Sequence, residues 1–182
     1  MLNLANILTL FRLALLPLIV VLLFIPASWA ASAALAFYIV GAITDWLDGY
    51  IARKHNMVTA FGTFLDPISD KIFVATIMLM LVATDRIAGI WVVLVILILV
   101  REFVISGLRE FLGPKNIQVP VSPMAKWKTT AQMIATGLLI IGPFVTGGMF
   151  LGLLCLLAAT ALTLYTGWDY LKIGWEHMKD DA

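Results

Sequence analysis

Four aspartates, Asp45, Asp48, Asp66 and Asp70, fall within 26 positions of a 182-residue chain that has only eleven acidic residues. They are set in the string Asp45-x2-Asp48-Gly49-x2-Ala52-Arg53-x8-Gly62-x3-Asp66-x3-Asp70. Residues three or four apart share a helix face, so each pair presents two carboxylates side by side. A short link around His55 and Asn56 makes the two carrying helices antiparallel neighbours and brings the four acids together. Four anions in a space of low dielectric need compensation, by protons or by metal ions. Oxygen-only ligation with no His or Cys nearby suits hard cations, Mg²⁺ first, then Mn²⁺ or Ca²⁺. Four carboxylates suffice for two cations with shared ligands, an arrangement that grips phosphates during displacement. Gly49, Ala52 and Gly62 leave room for a flat group or a phosphate beside the acids. Small residues at this spacing also serve tight helix packing in membranes, and both readings stand.

A second cluster is cationic. Arg101-Glu102 and Arg109-Glu110 are eight residues apart, close to one helix face, and Lys126, Lys128, Thr129 and Gln132 follow after the segment Pro114 to Pro123. The clustering of cations at the inner membrane surface accounts for Lys115, Lys126 and Lys128. It does not account for Arg101, which follows a charge-free arm of only fourteen residues and so lies at membrane depth. One account of Arg101 is neutralisation by Glu102 inside the bundle. A phosphate-bearing acceptor explains it better, because guanidinium forks match phosphate oxygens.

The elements that position these groups follow from composition. The chain is 62% hydrophobic and 13% charged, against about 25% charged in ordinary soluble domains. Its apolar surface therefore needs the bilayer as solvent. The net charge of +1 says nothing about nucleic acid, but no Lys/Arg-rich run is present and no nucleic-acid partner is expected. The lone Cys155 excludes a disulfide framework and a cysteine metal site. His55, His177 and the tail from Glu176 read as solvated. Arg12, the apolar run after it and Ala31-Ser32-Ala33 loosely resemble a leader peptide. Further apolar segments follow at once, so the first segment reads as a retained membrane helix.

Three charge-poor segments are each too long for one span. They are broken at Pro26-Ala27-Ser28-Trp29, at Asp85-Arg86 and at Gly142-Pro143 with Gly147-Gly148. Three hairpins give an all-α membrane protein of six transmembrane helices, at 4–25, 30–53, 60–84, 87–110, 125–143 and 148–172, in a single domain over 1–182. Eleven of the twelve Lys and Arg residues fall on one face, with Arg86 alone on the other. That face is expected to be cytoplasmic, with both termini on it. The charge-free arm Ile72 to Thr84 spans about 20 Å of the roughly 30 Å hydrocarbon thickness. Asp70 and Lys71 are thereby drawn to membrane depth, which predicts a polar cavity open to the cytoplasm.

The aspartate string, with Arg53, resembles at every fixed position the signature of the CDP-alcohol phosphatidyltransferase family, and the six-helix reading extends the likeness over nearly the whole chain. The resemblance implies that Asp45, Asp48, Asp66 and Asp70 hold two divalent cations, Mg²⁺ or Mn²⁺. It implies that Asp70 also deprotonates the acceptor hydroxyl. Asp48, Gly49, Ala52, Arg53 and Thr59, with Asn6 and Thr9 at the start of the first helix, then contact the CDP-lipid. The stretches 101–110 and 126–133 are similar to the branch of the family that uses glycerol 3-phosphate, which makes Arg101, Arg109 and Lys126, with Lys128 and Thr129, the holders of the acceptor phosphate. A bacterial inner-membrane setting, CDP-diacylglycerol and membrane lipids as partners, and a homodimer are implied too. Inositol phosphate or serine as acceptor is the nearest alternative. A divalent-cation transporter is the alternative from another class, disfavoured by the uncharged outer half of every helix.

Overall fold

The computed structural model describes residues 4–54, 59–113 and 123–179. Six helices make up the architecture: α1 (Leu4–Phe24), α2 (Ser28–Lys54), α3 (Ala60–Ala83), α4 (Val92–Leu112), α5 (Pro123–Ile141) and α6 (Gly148–Lys179). Among the described residues there is no strand. Each expected hairpin is present. The outer turns run through Ile25–Ala27, Thr84–Ala88 and Val145–Gly147, and 3₁₀ turns at Gly89–Trp91 and Gly142–Phe144 tighten the last two. Gly147 takes a positive φ of 75°, a conformation that favours glycine, and this lets the chain reverse between α5 and α6.

α3 begins at Ala60, as the sequence reading has it, and Thr59 caps it, its Oγ1 accepting from the Gly62 N–H at 3.0 Å, so Asp66 and Pro67 lie in the second turn. α4 begins at Val92 and not at 87, because the 3₁₀ turn Gly89–Trp91 precedes it. At the C-terminal end, α6 runs on to Lys179, well beyond 172. No proline stands between Lys172 and Lys179 to stop it, and a single Gly174 does not.

α1 packs on α2 and α3, α4 and α5 pack on α6, and α2 crosses to α5. Ile19, Leu81, Ile98, Leu139 and Leu156 fill the interior with no exposed surface. Large apolar side chains such as Val21, Leu79, Ile96 and Phe150 point outward, as a lipid solvent requires. Segments of α1 and α2, the stretch Gly89–Leu112 and a segment of α6 are each long and apolar enough to cross a membrane. α3 and α5 fall outside that set among the described residues, because their inner halves carry Asp66, Asp70 and Lys71, and Lys126, Lys128 and Gln132.

Candidate active site

The site is organised from α1. Asn6, Thr9 and Arg12 recur every three residues, so one face of α1 presents all three, and all three are buried. Asn6 Nδ2 donates to Thr59 Oγ1 at 3.0 Å, tying α1 to the N-cap of α3. Thr9 Oγ1 donates to Asp66 Oδ1 at 3.2 Å. Arg12 forms an ion pair with Asp45 of α2 and donates through Nη2 to Ser69 Oγ of α3 at 2.7 Å. Ser69 in turn donates to the Asp66 carbonyl at 3.0 Å. One polar face thus holds an aspartate from each of the two acid-bearing helices.

Arg12 is the functional residue that the sequence reading missed. Two remedies for clustered carboxylates were weighed there, protons and metal ions; the structure adds a third, a buried guanidinium. The available signal was the regular spacing Asn6-x2-Thr9-x2-Arg12. Gly62 is also explained. A β-carbon there would lie 2.7 Å from Asn6 Oδ1, so close packing of α1 on α3 requires glycine.

Asp70, one turn after Asp66, lines a cavity between α3, α4 and α5 together with Lys71, Glu102, Lys128, Thr129 and Gln132, with Tyr38 of α2 also on its wall. Lys128, Gln132 and Thr136 stand four residues apart on the buried face of α5. Glu102 Oε1 accepts from both Lys128 Nζ and Arg101 Nη1, the latter at 3.1 Å. Two of the cations suggested for an acceptor phosphate, Lys128 and Arg101, therefore converge on one carboxylate oxygen at the cavity wall. The carboxylate accounts for how a lysine and an arginine are tolerated at this depth, and an anion held in that place would meet two cations already gathered.

Arg101 lies mid-way along α4, its side chain only 10% exposed. Its Nη2 donates to Thr166 Oγ1 of α6 at 3.1 Å. Arg109 donates through Nη2 to the Tyr170 hydroxyl at 2.9 Å. Thr166 and Tyr170 carry no charge, and a purely charge-based reading of the sequence passes over them.

The profile of the CDP-alcohol phosphatidyltransferase family matches residues 2–165. The chain belongs to the CDP-alcohol phosphatidyltransferase family. Relatives named CDP-diacylglycerol–glycerol-3-phosphate 3-phosphatidyltransferase align along nearly its whole length. That of Rickettsia typhi is 43% identical over 93% of this chain and 96% of its own. Those of Pseudomonas fluorescens and Bacillus subtilis are each 37% identical, over 99% and 98% of this chain and 94% and 98% of their own.

Within this phosphatidyltransferase the structure brings together Asn6, Thr9, Thr59, Asp45 and Asp66 around α1, and Asp70, Lys128 and Thr129 around the cavity. Arg101 stands behind Glu102, and Arg109 is two turns further along α4. The side chains of Asp48, Gly49, Ala52, Arg53 and Lys126 lie outside the described residues, although their backbone belongs to α2 and α5. The donor set of Asp45 and Asp66 is all oxygen, held on adjacent helices by one face of α1, and its chemistry fits a hard divalent cation. Among the described residues no three acidic, His or Cys side chains gather as a ready ligand set.

Proposed function

We propose that the chain transfers the phosphatidyl group of CDP-diacylglycerol to glycerol 3-phosphate, giving phosphatidylglycerophosphate and CMP. The observation that carries this reading is the cavity in which Asp70 faces the Lys128–Glu102–Arg101 cluster, next to the aspartates held by α1. Asn6, Thr9 and Thr59, with Asp48, Gly49, Ala52 and Arg53 at the end of α2, take the CDP end of the lipid, whose acyl chains stay in the bilayer. Lys128, Thr129, Arg101, Arg109 and Lys126 hold the acceptor's phosphate. Asp70 takes the proton of its primary hydroxyl, and the freed oxygen attacks the phosphorus bonded to diacylglycerol. The bond from that phosphorus to the oxygen bridging to CMP breaks, and CMP leaves with the electron pair. Two divalent cations bound by Asp45, Asp48, Asp66 and Asp70 would neutralise charge on the diphosphate. The protein's share is positioning and preorganised charge, because phosphoryl chemistry asks little covalent help.

We propose further that the enzyme spans the cytoplasmic membrane six times, with its termini and cavity facing the cytoplasm. The support is the one-sided distribution of Lys and Arg. For pairing as a homodimer the support is the family resemblance alone. CMP release is to be measured with purified protein, CDP-diacylglycerol and a panel of glycerol 3-phosphate, inositol phosphate and serine. Release is expected with glycerol 3-phosphate only, abolished by excess chelator and restored by Mg²⁺ or Mn²⁺. Release with serine instead would overturn the acceptor, and full turnover in chelator would overturn the metal pair.

A further inference from the structure

Arg101 and Arg109 leave α4 eight residues apart, about 12 Å along the helix axis, yet both end on a single side chain of α6. The Arg101 guanidinium carbon lies 5.9 Å from the centre of the Tyr170 ring and that of Arg109 lies 5.0 Å from it. Tyr170 is 3% exposed, and its hydroxyl accepts from Arg109. One helical turn earlier, Thr166 accepts from Arg101. Between them Gly167 supplies the space for the Arg101 shaft. A β-carbon at 167 would lie 2.9 Å from Arg101 Cγ and 3.0 Å from its Nε.

Two guanidinium groups repel each other and ride on long, flexible stems. An aromatic ring face offsets that repulsion, and fixed hydrogen-bond acceptors hold each group in one rotamer. Helix α6 offers both over a single turn, and packing alone asks for neither. Arg101 Nε is buried without a hydrogen-bond partner among the described residues, so this guanidinium is gripped but not saturated.

We propose that Thr166, Gly167 and Tyr170 form a shelf that positions Arg101 and Arg109 for the acceptor phosphate. The proposal rests on the reading of those arginines as phosphate holders. The three shelf residues touch no substrate and act through the arginines. Ligand binding then no longer has to order two long side chains, which is the cost that preorganisation removes.

The test measures kcat, KM for glycerol 3-phosphate, KM for CDP-diacylglycerol and Tm in detergent. The variants are Tyr170→Phe, Tyr170→Leu, Gly167→Ala, Arg101→Ala, Arg109→Ala and the pair Tyr170→Phe/Arg109→Ala. Tyr170→Phe keeps the ring and loses one acceptor, so acceptor KM is expected to rise about 3- to 10-fold, the worth of one ordinary hydrogen bond. Lipid KM and Tm should not change. Tyr170→Leu should raise acceptor KM further, and Gly167→Ala should raise it by displacing Arg101. If Tyr170→Leu does not fold, Tyr170→Phe and Gly167→Ala carry the test. In the Arg109→Ala background Tyr170→Phe should add nothing, since its effect passes through Arg109. An unchanged acceptor KM in Tyr170→Phe and Gly167→Ala, with a raised one in Arg109→Ala, overturns the shelf and leaves the acceptor reading standing. So does a common loss in the use of both substrates with lowered Tm. An unchanged acceptor KM in both arginine variants overturns the acceptor reading, and the shelf with it.

Discussion

A guanidinium with 2% of its surface exposed, as Arg12 has, stands inside a membrane bundle only if anions and acceptors surround it. Arg12 has both, in Asp45 and Ser69. On the proposed two-cation reading it is a permanent counter-charge that shares with those ions the task of neutralising the carboxylates. That division of labour has a measurable consequence. In Arg12→Gln the carboxylates lose their fixed cation and depend on the divalent ions, so the rise in Tm on adding Mg²⁺ should exceed that of the wild type. Thermal melts in detergent with chelator and with saturating Mg²⁺ supply both shifts. Equal shifts in the two proteins would mean that Arg12 does not share the task. A sequence string shows carboxylate spacing directly, since i, i+3 and i+4 positions must share a face. It does not show which distant cation a fold will place among them, and Arg12, well upstream of Asp45 in an apolar run, has the look of a flanking charge.

At the scale of elements, the acid-bearing hairpin is held by a side-chain contact at the start of α3 as well as by packing. Thr59 Oγ1 accepts from the Gly62 N–H as the N-cap and from Asn6 Nδ2 as the link to α1. Losing a threonine cap costs about 1 kcal/mol, and here the same atom also fixes where α1 meets α3. Thr59→Ala is therefore expected to lower Tm modestly and to raise KM for CDP-diacylglycerol, with KM for glycerol 3-phosphate unchanged. Substrate titrations of that variant check both halves, and an unchanged lipid KM would separate the cap from the site. The helices themselves were legible in the sequence because Pro26, Asp85-Arg86 and Gly142-Pro143 interrupt runs that bear no charge. The start of α3 was legible too, but its capping residue was not, because Asp66 and Pro67 imitate a cap followed by a first-turn proline, and only the geometry at Thr59 separates the two. The partners of Arg101 and Arg109 were not legible at all. Thr166 and Tyr170 are uncharged, and in an apolar helix a hydroxyl gives no sign of which neighbour it will face.

Over the whole molecule, polarity is divided along the membrane normal. The acids, the cavity and the arginine cluster occupy one end of the bundle, as the short charge-free arms of α3 and α4 require. Among the described residues the opposite end holds one cation. Arg86 is 6% exposed and donates to the Ile140 carbonyl, one of the last acceptors of α5, from the turn between α3 and α4. A carbonyl at a helix C-terminus has no partner within its own helix, and a cation there also meets the negative end of the helix dipole. Arg86 therefore clamps the α3–α4 turn to the α5–α6 turn, far from the chemistry. Removing it leaves a buried carbonyl unpaired, a cost of about 1–3 kcal/mol, while the inner half of every helix keeps its contacts. Arg86→Ala should accordingly lower Tm in detergent with KM for both substrates unchanged at a temperature where the variant is folded. That outcome is the inverse of the one expected for Tyr170→Phe, which moves one KM and leaves Tm alone. A rise in either KM in folded Arg86→Ala would show that the outer clamp and the inner cavity are mechanically joined, and that strain at one end of α3 and α5 is felt at Asp70 and Lys128.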